Sequence, residues 1–406
     1  MKKLAIITTH PIQYNAPLFR LLFERGNISI KVFYTWGEGV TKSKYDPGFG
    51  KVVEWDIPLL DGYDYEFVQN TSSNPGSHHF NGIKNPILIN AINNWNPNAL
   101  LVYGWSYQSH LSCLRYFKNK IPLFFRGDST LLDSPSLLKS IIKNILLKWV
   151  YRNIDYALYV GENNRQYFEQ YGIKENQLIH APHVVDNVRF FDTEGKYSQQ
   201  AAQWRNDLAI HKDDIVFLFA GKLEHKKNPE LLINAFKQLS ETRKNCHLIV
   251  VGDGILKNKL TELSNPSLNN SATQRLNIIF LPFQNQSMMP IVYRLADVFV
   301  LPSQGPGETW GLAVNEAMAC GKAIIVSDKV GCAPDLIEQG KNGFVFKSGV
   351  ENDLFNKMQE FCNNPSLVKK MGEASLNKIA LFSQTYLAEI IEKSVLSMNI
   401  SLSKFD

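Results

Sequence analysis

Short apolar runs alternate with longer stretches of helical periodicity along the chain, and this alternation limits its fold more than any other feature. It is typical of βαβ units, which form parallel sheets covered by helices on both faces. Strands buried on both faces are expected to be almost continuously apolar, as these runs are. The candidate strands are KLAIITT, ISIKVFYTW, ALLVYGW, PLFFRG, YALYVG and LIHAP in the first half, and DIVFLFAGKL, CHLIVVGDG, LNIIFLPF, DVFVLPS, KAIIVSD and GFVF in the second. The sequence therefore predicts an α/β fold.

A polar stretch rich in Gln, Lys and Asn separates the two series of strands. With 406 residues, the chain is also longer than a single hydrophobic core normally supports. We therefore predict two doubly wound, Rossmann-like domains that face each other across a cleft, with ligands at the carboxyl ends of the strands. The predicted ranges are 1–191 for the first domain, 192–213 for a linker and 214–383 for the second domain, with a helix at about 384–406 that packs back on the first.

Composition and charge exclude several classes of protein. Hydrophobic residues make up 44% of the chain and charged residues 20%, which is ordinary for a soluble globular protein. The net charge of +5 suits an anionic small molecule or membrane surface but is too small to indicate nucleic-acid binding. No run approaches the roughly 18 apolar residues of a membrane-spanning helix. We expect a cytoplasmic enzyme and leave open a peripheral location on the inner face of the cell membrane.

Two Rossmann-like domains can indicate a dehydrogenase, whose first strand-to-helix turn carries a glycine fingerprint for pyrophosphate. Here the first candidate strand is followed by HPIQYNAP, and no glycine occurs before Gly26. In the second half, VGDGILK offers only Gly252 and Gly254, which a tight turn explains more simply. The sequence therefore argues against a dinucleotide cofactor.

The segment GPGETWGLAVNEAMACG, residues 305–321, holds two glutamates eight positions apart, Glu308 and Glu316. It follows a candidate strand and opens a helical pattern. A helix amino terminus presents free N–H groups and partial positive charge, which suit a phosphate. Eight helical residues advance about 12 Å, so the two carboxylates can bind hydroxyls on either side of a diphosphate. The alternative is that Glu308 is an ordinary first-turn acid and Glu316 a solvated helix residue.

A second element supplies positive charge. In FAGKLEHKKNPELLINAF, Lys222 and Lys227 follow the end of a candidate strand. A cationic loop opposite a helix amino terminus is what a diphosphate leaving group needs. A solvated charged surface is the alternative, and sequence spacing does not by itself place the two elements together.

The segment PSQGPGETWGLAVNEAMACGKAIIVSD resembles the signature of the family 4 glycosyltransferases, with their E-x7-E pair at Glu308 and Glu316. AGKLEHKKNPELLINAF resembles the basic loop of that family, and YGIKENQLIHAPHVVDNVRF and GKNGFVF are further matches. The resemblance implies a GT-B fold and retaining transfer of a sugar from a UDP- or GDP-type nucleotide sugar to a saccharide or lipid-linked saccharide, in cell-surface polysaccharide synthesis. It implies no metal or other cofactor, because lysines and a helix terminus supply the positive charge.

Carried over residue by residue, Glu308 would orient the donor sugar, Glu316 would hold the ribose, and Lys222 and Lys227 would neutralise the diphosphate. The family more often has arginine at the first basic position, and Lys222 lacks the planar fork for bidentate phosphate contact. The other donor-side candidates are Gly221, Gly252, Phe283, Gly307, Thr309, Trp310, Gly311 and Leu312.

The amino-terminal half departs from the family pattern. It has His10-Pro11 where members often have two glycines, and FFRGDS where they often have a histidine. Arg126 and Asp128 are candidate catalytic residues, and His10 and Asp128 are candidate acceptor-side residues. The structural alternatives are a buried ion pair between Arg126 and Asp128, or a helix cap by Asp128.

The segment SPSLLKSIIKNILLKWVYRN, residues 134–153, contains four basic residues and no acid. Ser134 and Pro135 predict the start of a helix. At 100° per residue, one apolar stripe bordered by basic residues is formed by Leu138, Ile141, Ile142, Ile145 and Trp149. Basic residues on both borders suit a helix lying on an anionic membrane surface, and a core-packed helix with extended lysines is the alternative.

Two other functions stay open at this point. One is a nucleotide-sugar epimerase or a phosphorylase on the same fold, and the other is a regulator that binds nucleotide sugars without turnover. The presence of both glutamates and both lysines argues against the regulator.

Overall fold

The structure is a computed structural model that describes residues 1–37, 44–46, 48–133, 137–264 and 277–398. The chain divides into two units, each with its own parallel sheet. Unit 1 comprises Met1–Lys44, Ile57–His183 and Gln384–Asp406, and unit 2 comprises Tyr45–Asp56 and Val184–Ser383. The predicted α/β class is confirmed, with one Rossmann-like sheet in each half of the chain.

Nine strands lie in the described residues of the first half. They are β1 (Lys3–Thr8), β2 (Ser29–Tyr34), β3 (Lys44–Asp46), β4 (Lys51–Val53), β5 (Tyr65–Phe67), β6 (Ala99–Tyr103), β7 (Leu123–Arg126), β8 (Tyr156–Tyr159) and β9 (Leu178–His180). Seven of them form the parallel sheet of unit 1 in the order β5-β2-β1-β6-β7-β8-β9, and β3 pairs separately with β4. All six candidate strands of this half are present. The sequence did not predict β3, β4 and β5, which have three residues each and carry charged side chains.

The helices of the first half cover the faces of this sheet. They are α1 (Ala16–Arg25), α2 (Leu88–Trp95), α3 (Gln108–Phe117), α4 (Leu137–Tyr151) and α5 (Glu162–Gln170). The predicted start of α4, at Ser134 and Pro135, lies outside the described residues. Strand β1 is fully buried from Leu4 to Ile7, so the apolar run reflects a central strand covered on both faces.

In the part of unit 2 that the structure describes, six parallel strands form a sheet in the order β12-β11-β10-β13-β14-β15. They are β10 (Ile215–Ala220), β11 (Cys246–Val251), β12 (Ile278–Leu281), β13 (Val298–Leu301), β14 (Ala323–Ser327) and β15 (Gly343–Phe346). The helices of the second half are α6 (Asn187–Phe190), α7 (Lys196–Asp207), α8 (Pro229–Thr242), α9 (Lys257–Ser264), α10 (Met289–Arg294), α11 (Leu312–Ala319), α12 (Ala333–Leu336), α13 (Glu351–Asn363), α14 (Ser366–Ile379) and α15 (Gln384–Ser397). All six candidate strands of this half are present.

The division between the units differs from the predicted linker at 192–213. The chain passes from unit 1 to unit 2 between His183 and Val184, and the predicted linker lies within unit 2. It contains α7, which packs against α10. Arg205 of α7 also contacts Asp297 at 3.4 Å and donates to the carbonyl of Asp214 at 2.8 Å. The segment is polar because only one side of α7 packs against the unit, with Ala201 buried.

The carboxyl-terminal helix α15 packs against α1 in unit 1. Its Glu392, 4% exposed, accepts hydrogen bonds from Arg25 Nε at 2.9 Å and Nη2 at 3.0 Å, and from Asn27 at 3.0 Å. The neighbouring Glu389 lies 3.6 Å from Arg25 but is 57% exposed. A bidentate, shielded pair is worth more than an exposed one. We therefore infer that Glu392 anchors α15.

We predict that Glu392→Ala lowers the free energy of unfolding by about 2 kcal/mol or more, because it leaves Arg25 and Asn27 without their shared acceptor. Urea unfolding followed by circular dichroism measures the change. Glu389→Ala is the matched control on the same helix, and we expect a loss below about 0.5 kcal/mol. Equal losses in the two variants would contradict the assignment of Glu392 as the anchor.

Candidate functional site

The candidate site lies where the strand order of unit 2 reverses, between β10 and β13. Open α/β sheets bind ligands outside the carboxyl ends of their strands at this point. The loop after β10 carries Lys222 and Lys227, and the loop after β13 carries Glu308. The tertiary structure therefore brings together two elements that are about 80 residues apart in the sequence.

The central contact of the site joins Lys227 Nζ to Glu308 Oε2. The Glu308 side chain is 7% exposed and that of Lys227 is 18% exposed, so the pair is largely shielded from water. Ser303, which is fully buried, donates its hydroxyl to the same Oε2 at 3.0 Å. An ion pair shielded in this way holds its geometry more strongly than a surface pair does. Glu308 is thus fixed in place beside a cation.

Gln304 ties the two loops together. Its backbone N–H donates to the carbonyl of Lys226 at 2.8 Å, and its side-chain amide donates to the carbonyl of His225 at 2.8 Å. These two bonds hold the loop after β13 against the turn His225–Lys227. Ser303 and Gln304 lie in the segment PSQGPGETWG, but no sequence motif predicted a role for either residue.

The helix α11 begins at Leu312, with Gly311 as its N-cap, and this corrects the predicted position of Glu308. Glu308 lies four residues before the helix, in the loop, and is not a first-turn acid. The estimate of about 12 Å between the two glutamates assumed eight helical residues, so it does not hold. The helix starts late because Gly307 and Gly311 both adopt positive φ, at 87° and 98°, which turns the backbone out of helical geometry.

Glu316 lies within α11 and is buried, with 3% of its surface exposed. Its Oε2 accepts a hydrogen bond of 2.7 Å from the hydroxyl of Tyr293 on α10. The interpretation of Glu316 as a solvated helix residue is therefore wrong. Tyr293 was not predicted, because nothing in the sequence connects α10 with α11.

The backbone between Glu308 and Leu312 is fixed from several sides. A Cβ atom on Gly331 would lie 1.8 Å from the carbonyl oxygen of Thr309, so only glycine allows this close approach. The N–H of Gly331 donates to the carbonyl of Glu308 at 3.1 Å. Trp310 is buried and donates its indole N–H to Asn315 at 2.8 Å, so its ring belongs to the core of the unit. The half-buried Leu312 opens α11.

Lys222 contacts a carboxylate that the sequence did not predict. Its Nζ lies 2.9 Å and 3.0 Å from the two carboxyl oxygens of Asp46. Burial would raise the pKa of Asp46, but hydrogen bonds from Lys222 and from the N–H groups of Gly48 and Phe49 outweigh it and lower that pKa. Both lysines predicted to neutralise a diphosphate are thus paired with carboxylates of the chain.

The remaining donor-side candidates lie at the ends of neighbouring strands. Gly221 and Gly252 follow β10 and β11, and a Cβ atom on Gly252 would lie 2.0 Å from the carbonyl oxygen of Gly221. Gly252 therefore allows two strand ends to pass closely, which agrees with the tight turn. Phe283 follows β12; its N–H donates to Asp253 Oδ2 at 3.2 Å, and its ring packs edge to face with Phe49.

The acceptor-side candidates lie at the carboxyl ends of the strands of unit 1. His10 follows β1, the strand next to the reversal of order in this sheet, and its Nδ1 lies 3.0 Å from the hydroxyl of Thr9. Arg126 ends β7 and is buried, donating to the carbonyls of Ala181 at 2.6 Å and Pro182 at 3.1 Å. The guanidinium therefore fixes the chain after β9.

Asp128 lies 3.9 Å from His183, and its side chain is 52% exposed. Asp128 thus has His183 as a partner, whereas one structural alternative had named Arg126. Burial lowers the pKa of His183, whereas the hydrogen bond with Asp128 opposes that shift. Within the described ranges, no three His, Cys, Asp or Glu side chains are grouped to hold a metal ion.

Comparisons with known proteins bear on the family and the fold. Residues 200–378 match the glycosyl transferases group 1 family. The chain is 32% identical over 151 residues to a lipopolysaccharide 1,2-N-acetylglucosaminetransferase of Salmonella typhimurium, which is 37% of this chain and 39% of that protein. It is 26% identical over 255 residues, 63% of each chain, to an N,N'-diacetylbacillosaminyl-diphospho-undecaprenol alpha-1,3-N-acetylgalactosaminyltransferase of Campylobacter jejuni. The matches with the first curated relatives span only 35 to 39% of their length.

The fold of the whole chain is also shared. A crystal structure of Anabaena Alr3699/HepE in complex with UDP has a TM-score of 0.71, at 18% identity, over 98% of this chain and 100% of that one. The predicted family resemblance and GT-B fold are confirmed. Residues 200–378 therefore carry the region shared by the group 1 glycosyltransferases, and the whole chain has a GT-B fold.

Proposed function

We propose that the protein is a retaining glycosyltransferase that moves a sugar from a nucleotide-diphosphate sugar to a hydroxyl of a saccharide or lipid-linked saccharide. The observation that carries this proposal is the shielded Glu308, held beside Lys227 at the reversal of strand order in unit 2. A UDP sugar is the first donor to test, because the Anabaena relative of the same fold binds UDP. Cell-surface polysaccharide synthesis fits the Salmonella relative, which is named for lipopolysaccharide, and a lipid-linked acceptor fits the Campylobacter relative, which is named for a diphospho-undecaprenol.

The reaction breaks the bond between the anomeric carbon and a phosphate oxygen, and the nucleoside diphosphate leaves with the bonding electrons. Lys222, Lys227 and the N–H groups at the start of α11 stabilise the charge that develops on it. The acceptor hydroxyl forms the new bond to the same carbon and gives its proton to a phosphate oxygen of the leaving group. Glu308 orients the sugar through its hydroxyls, and Glu316, with Tyr293, holds the ribose.

The acceptor side is assigned to unit 1. His10 and Asp128 lie at the carboxyl ends of strands, where they can contact an acceptor hydroxyl. Arg126 acts through the backbone that it holds, at Ala181 and Pro182, next to His183 and its partner Asp128. It is therefore a positioning residue in this proposal.

We predict that Glu308→Gln lowers the rate of sugar transfer about 100-fold or more, because the amide cannot replace the carboxylate at the sugar. The assay is release of nucleoside diphosphate, using a donor that raises the thermal midpoint in a screen of UDP, GDP and ADP sugars. Glu338→Gln is the control. The Glu338 side chain is 42% exposed and pairs with Lys341 and Lys378, so we expect wild-type rates.

Wild-type turnover by Glu308→Gln would reject the assignment of Glu308, provided that the thermal midpoint shows a folded protein. Release that requires an acceptor supports transfer. Release without an acceptor would favour the epimerase or phosphorylase, and donor binding without turnover would favour a regulator.

The finer proposal for location concerns α4. Its predicted stripe is exposed, with exposed fractions of 71% for Leu138, 59% for Ile141, 60% for Ile142, 68% for Ile145 and 41% for Trp149. A core-packed helix would bury these side chains. No helix in the described parts of the chain is both long enough and apolar enough to cross a membrane. A continuous apolar stripe of this size calls for a partner.

We propose that the partner is an anionic membrane surface, which would also present a lipid-linked acceptor. The helix contributes Lys139, Lys143 and Lys148, and Arg152 follows it, without any acidic residue between 137 and 153. Basic residues beside an apolar stripe attract anionic headgroups while the stripe enters the interface. The charges of α4 therefore favour a membrane over a neutral protein partner.

We predict that Ile145→Glu lowers binding to vesicles of phosphatidylglycerol and phosphatidylethanolamine about tenfold, because the variant loses one buried apolar side chain and gains a repelled charge. Sedimentation at low salt measures the bound fraction. Leu381→Glu is the matched control, since Leu381 is 67% exposed but lies in unit 2. Failure of the wild type to sediment, or equal binding by Ile145→Glu, would reject the membrane face.

A further inference from the structure

The hairpin formed by β3 and β4, with the residues that follow as far as Asp56, belongs to unit 2 although it lies between β2 and β5 in the sequence. It packs on loops that follow three neighbouring strands of the unit 2 sheet. Asp46 contacts Lys222 after β10, Lys51 contacts Asp253 after β11, and Phe49 contacts Phe283 after β12. The hairpin therefore covers the carboxyl edge on one side of the strand reversal, where a ligand of this sheet is expected.

Several contacts secure the hairpin there. Lys51 Nζ lies 2.7 Å from Asp253 Oδ2 and 4.4 Å from the centre of the Phe283 ring. At the far end, Asn285 donates to the carbonyl of Glu54 at 2.6 Å, and the N–H of Ser287 donates to Asp56 at 3.1 Å. The position of Asp46 is therefore also fixed by contacts that other residues of the hairpin make.

Residues near the turn of the hairpin contact the ammonium group of Lys222. Both carboxyl oxygens of Asp46 lie within 3.0 Å of Nζ, and the Phe49 ring centre lies 5.0 Å away. On the side of Gly48, a Cβ atom would lie 2.6 Å from Lys222 Cδ, so glycine lets the chain pass. The N–H groups of Gly48 and Phe49 donate to Asp46 Oδ1 at 2.8 Å and 3.2 Å and hold the carboxylate toward the lysine.

A carboxylate at this position competes with a phosphate for the same cation. Lys222 has one ammonium group, and Asp46 already contacts it with two oxygens. A diphosphate that binds Lys222 must displace Asp46 or share the ammonium with a second anion, which is unfavourable. The pair is half-buried, with exposed side-chain fractions of 34% for Lys222 and 28% for Asp46. A phosphate from solution can therefore reach Lys222 and replace the Asp46 carboxylate.

We propose that the Asp46 carboxylate binds the Lys222 ammonium group until a diphosphate displaces it. The hairpin would then lower the affinity of unit 2 for nucleoside diphosphates. This inference rests on the proposed function, because it takes Lys222 to be a phosphate ligand. It adds a residue of the first half of the chain to the donor-side determinants of unit 2. It also assigns a role in ligand affinity to a hairpin that was not part of the predicted donor site.

The test compares Asp46→Asn with Glu54→Gln by calorimetry, using inorganic pyrophosphate, UDP and uridine as ligands. Each variant removes one negative charge from the same hairpin, but the Glu54 side chain is exposed and only its backbone carbonyl contacts unit 2. Asparagine keeps the size of Asp46 and an acceptor for Gly48 and Phe49. We expect Asp46→Asn to bind pyrophosphate and UDP about fivefold more tightly, as release from one partly exposed ion pair allows, and to bind uridine unchanged. Glu54→Gln should match the wild type for all three ligands.

Repeating the measurement with Lys222→Ala isolates the exchange. In the Lys222→Ala background, Asp46→Asn should give no gain in affinity for pyrophosphate or UDP, because the ammonium group for which the carboxylate and the phosphate compete has been removed. Equal or weaker pyrophosphate binding by Asp46→Asn would overturn the inference. So would a gain of equal size for uridine, which indicates simple steric cover by the hairpin, or a gain that persists with Lys222→Ala.

The two proposals fail in different ways. If the wild type binds pyrophosphate or UDP and Asp46→Asn shows no gain, only the role of Asp46 is rejected. If neither protein binds pyrophosphate, UDP, GDP or ADP, the donor site itself is rejected together with the inference. Thermal unfolding of each variant confirms that the comparison is made between folded proteins.

Discussion

The contact between Lys227 and Glu308 is the interaction on which the candidate site depends. It joins the loops after β10 and β13, the two strands that flank the reversal of strand order in unit 2. Because the pair is shielded from water, removal of either side chain would leave the other charge without its partner, which costs several kcal/mol. Ser303, Gln304 and Gly331 then act together to keep both loops in one arrangement.

Charge balance within unit 2 follows from that arrangement. The two lysines that we propose as diphosphate ligands are each paired with a carboxylate, Lys227 with Glu308 and Lys222 with Asp46. Without such a partner, each ammonium group would carry an uncompensated charge in a partly desolvated place. The two carboxylates differ in kind. Glu308 is buried and follows a strand of the unit 2 sheet, whereas Asp46 lies on a hairpin that the first half of the chain contributes to unit 2.

Unit 1 raises a different physical question, because α4 exposes an apolar stripe and basic residues together. Periodicity located this stripe correctly, yet a stripe of the same pattern serves equally well as a core-packed face. Only the exposed fractions distinguish the two, since burial depends on which elements pack beside the helix. The sequence also did not show what Arg126 contacts. Its partners are the backbone carbonyls of Ala181 and Pro182, which are 55 and 56 positions away.

The sequence by itself determined the twelve main strands, the α/β class, the family, and the two segments that carry Glu308 and Lys227. These follow from local hydrophobic runs and from short motifs, which neighbouring residues define. Tertiary structure decided the place of the division between His183 and Val184, and the partners of Lys222, Glu316 and Arg126. Those depend on contacts between residues far apart in the chain, such as Asp46 and Lys222, 176 positions apart. No local pattern encodes such a contact, because it forms only after the sheet has brought the ends of its strands together.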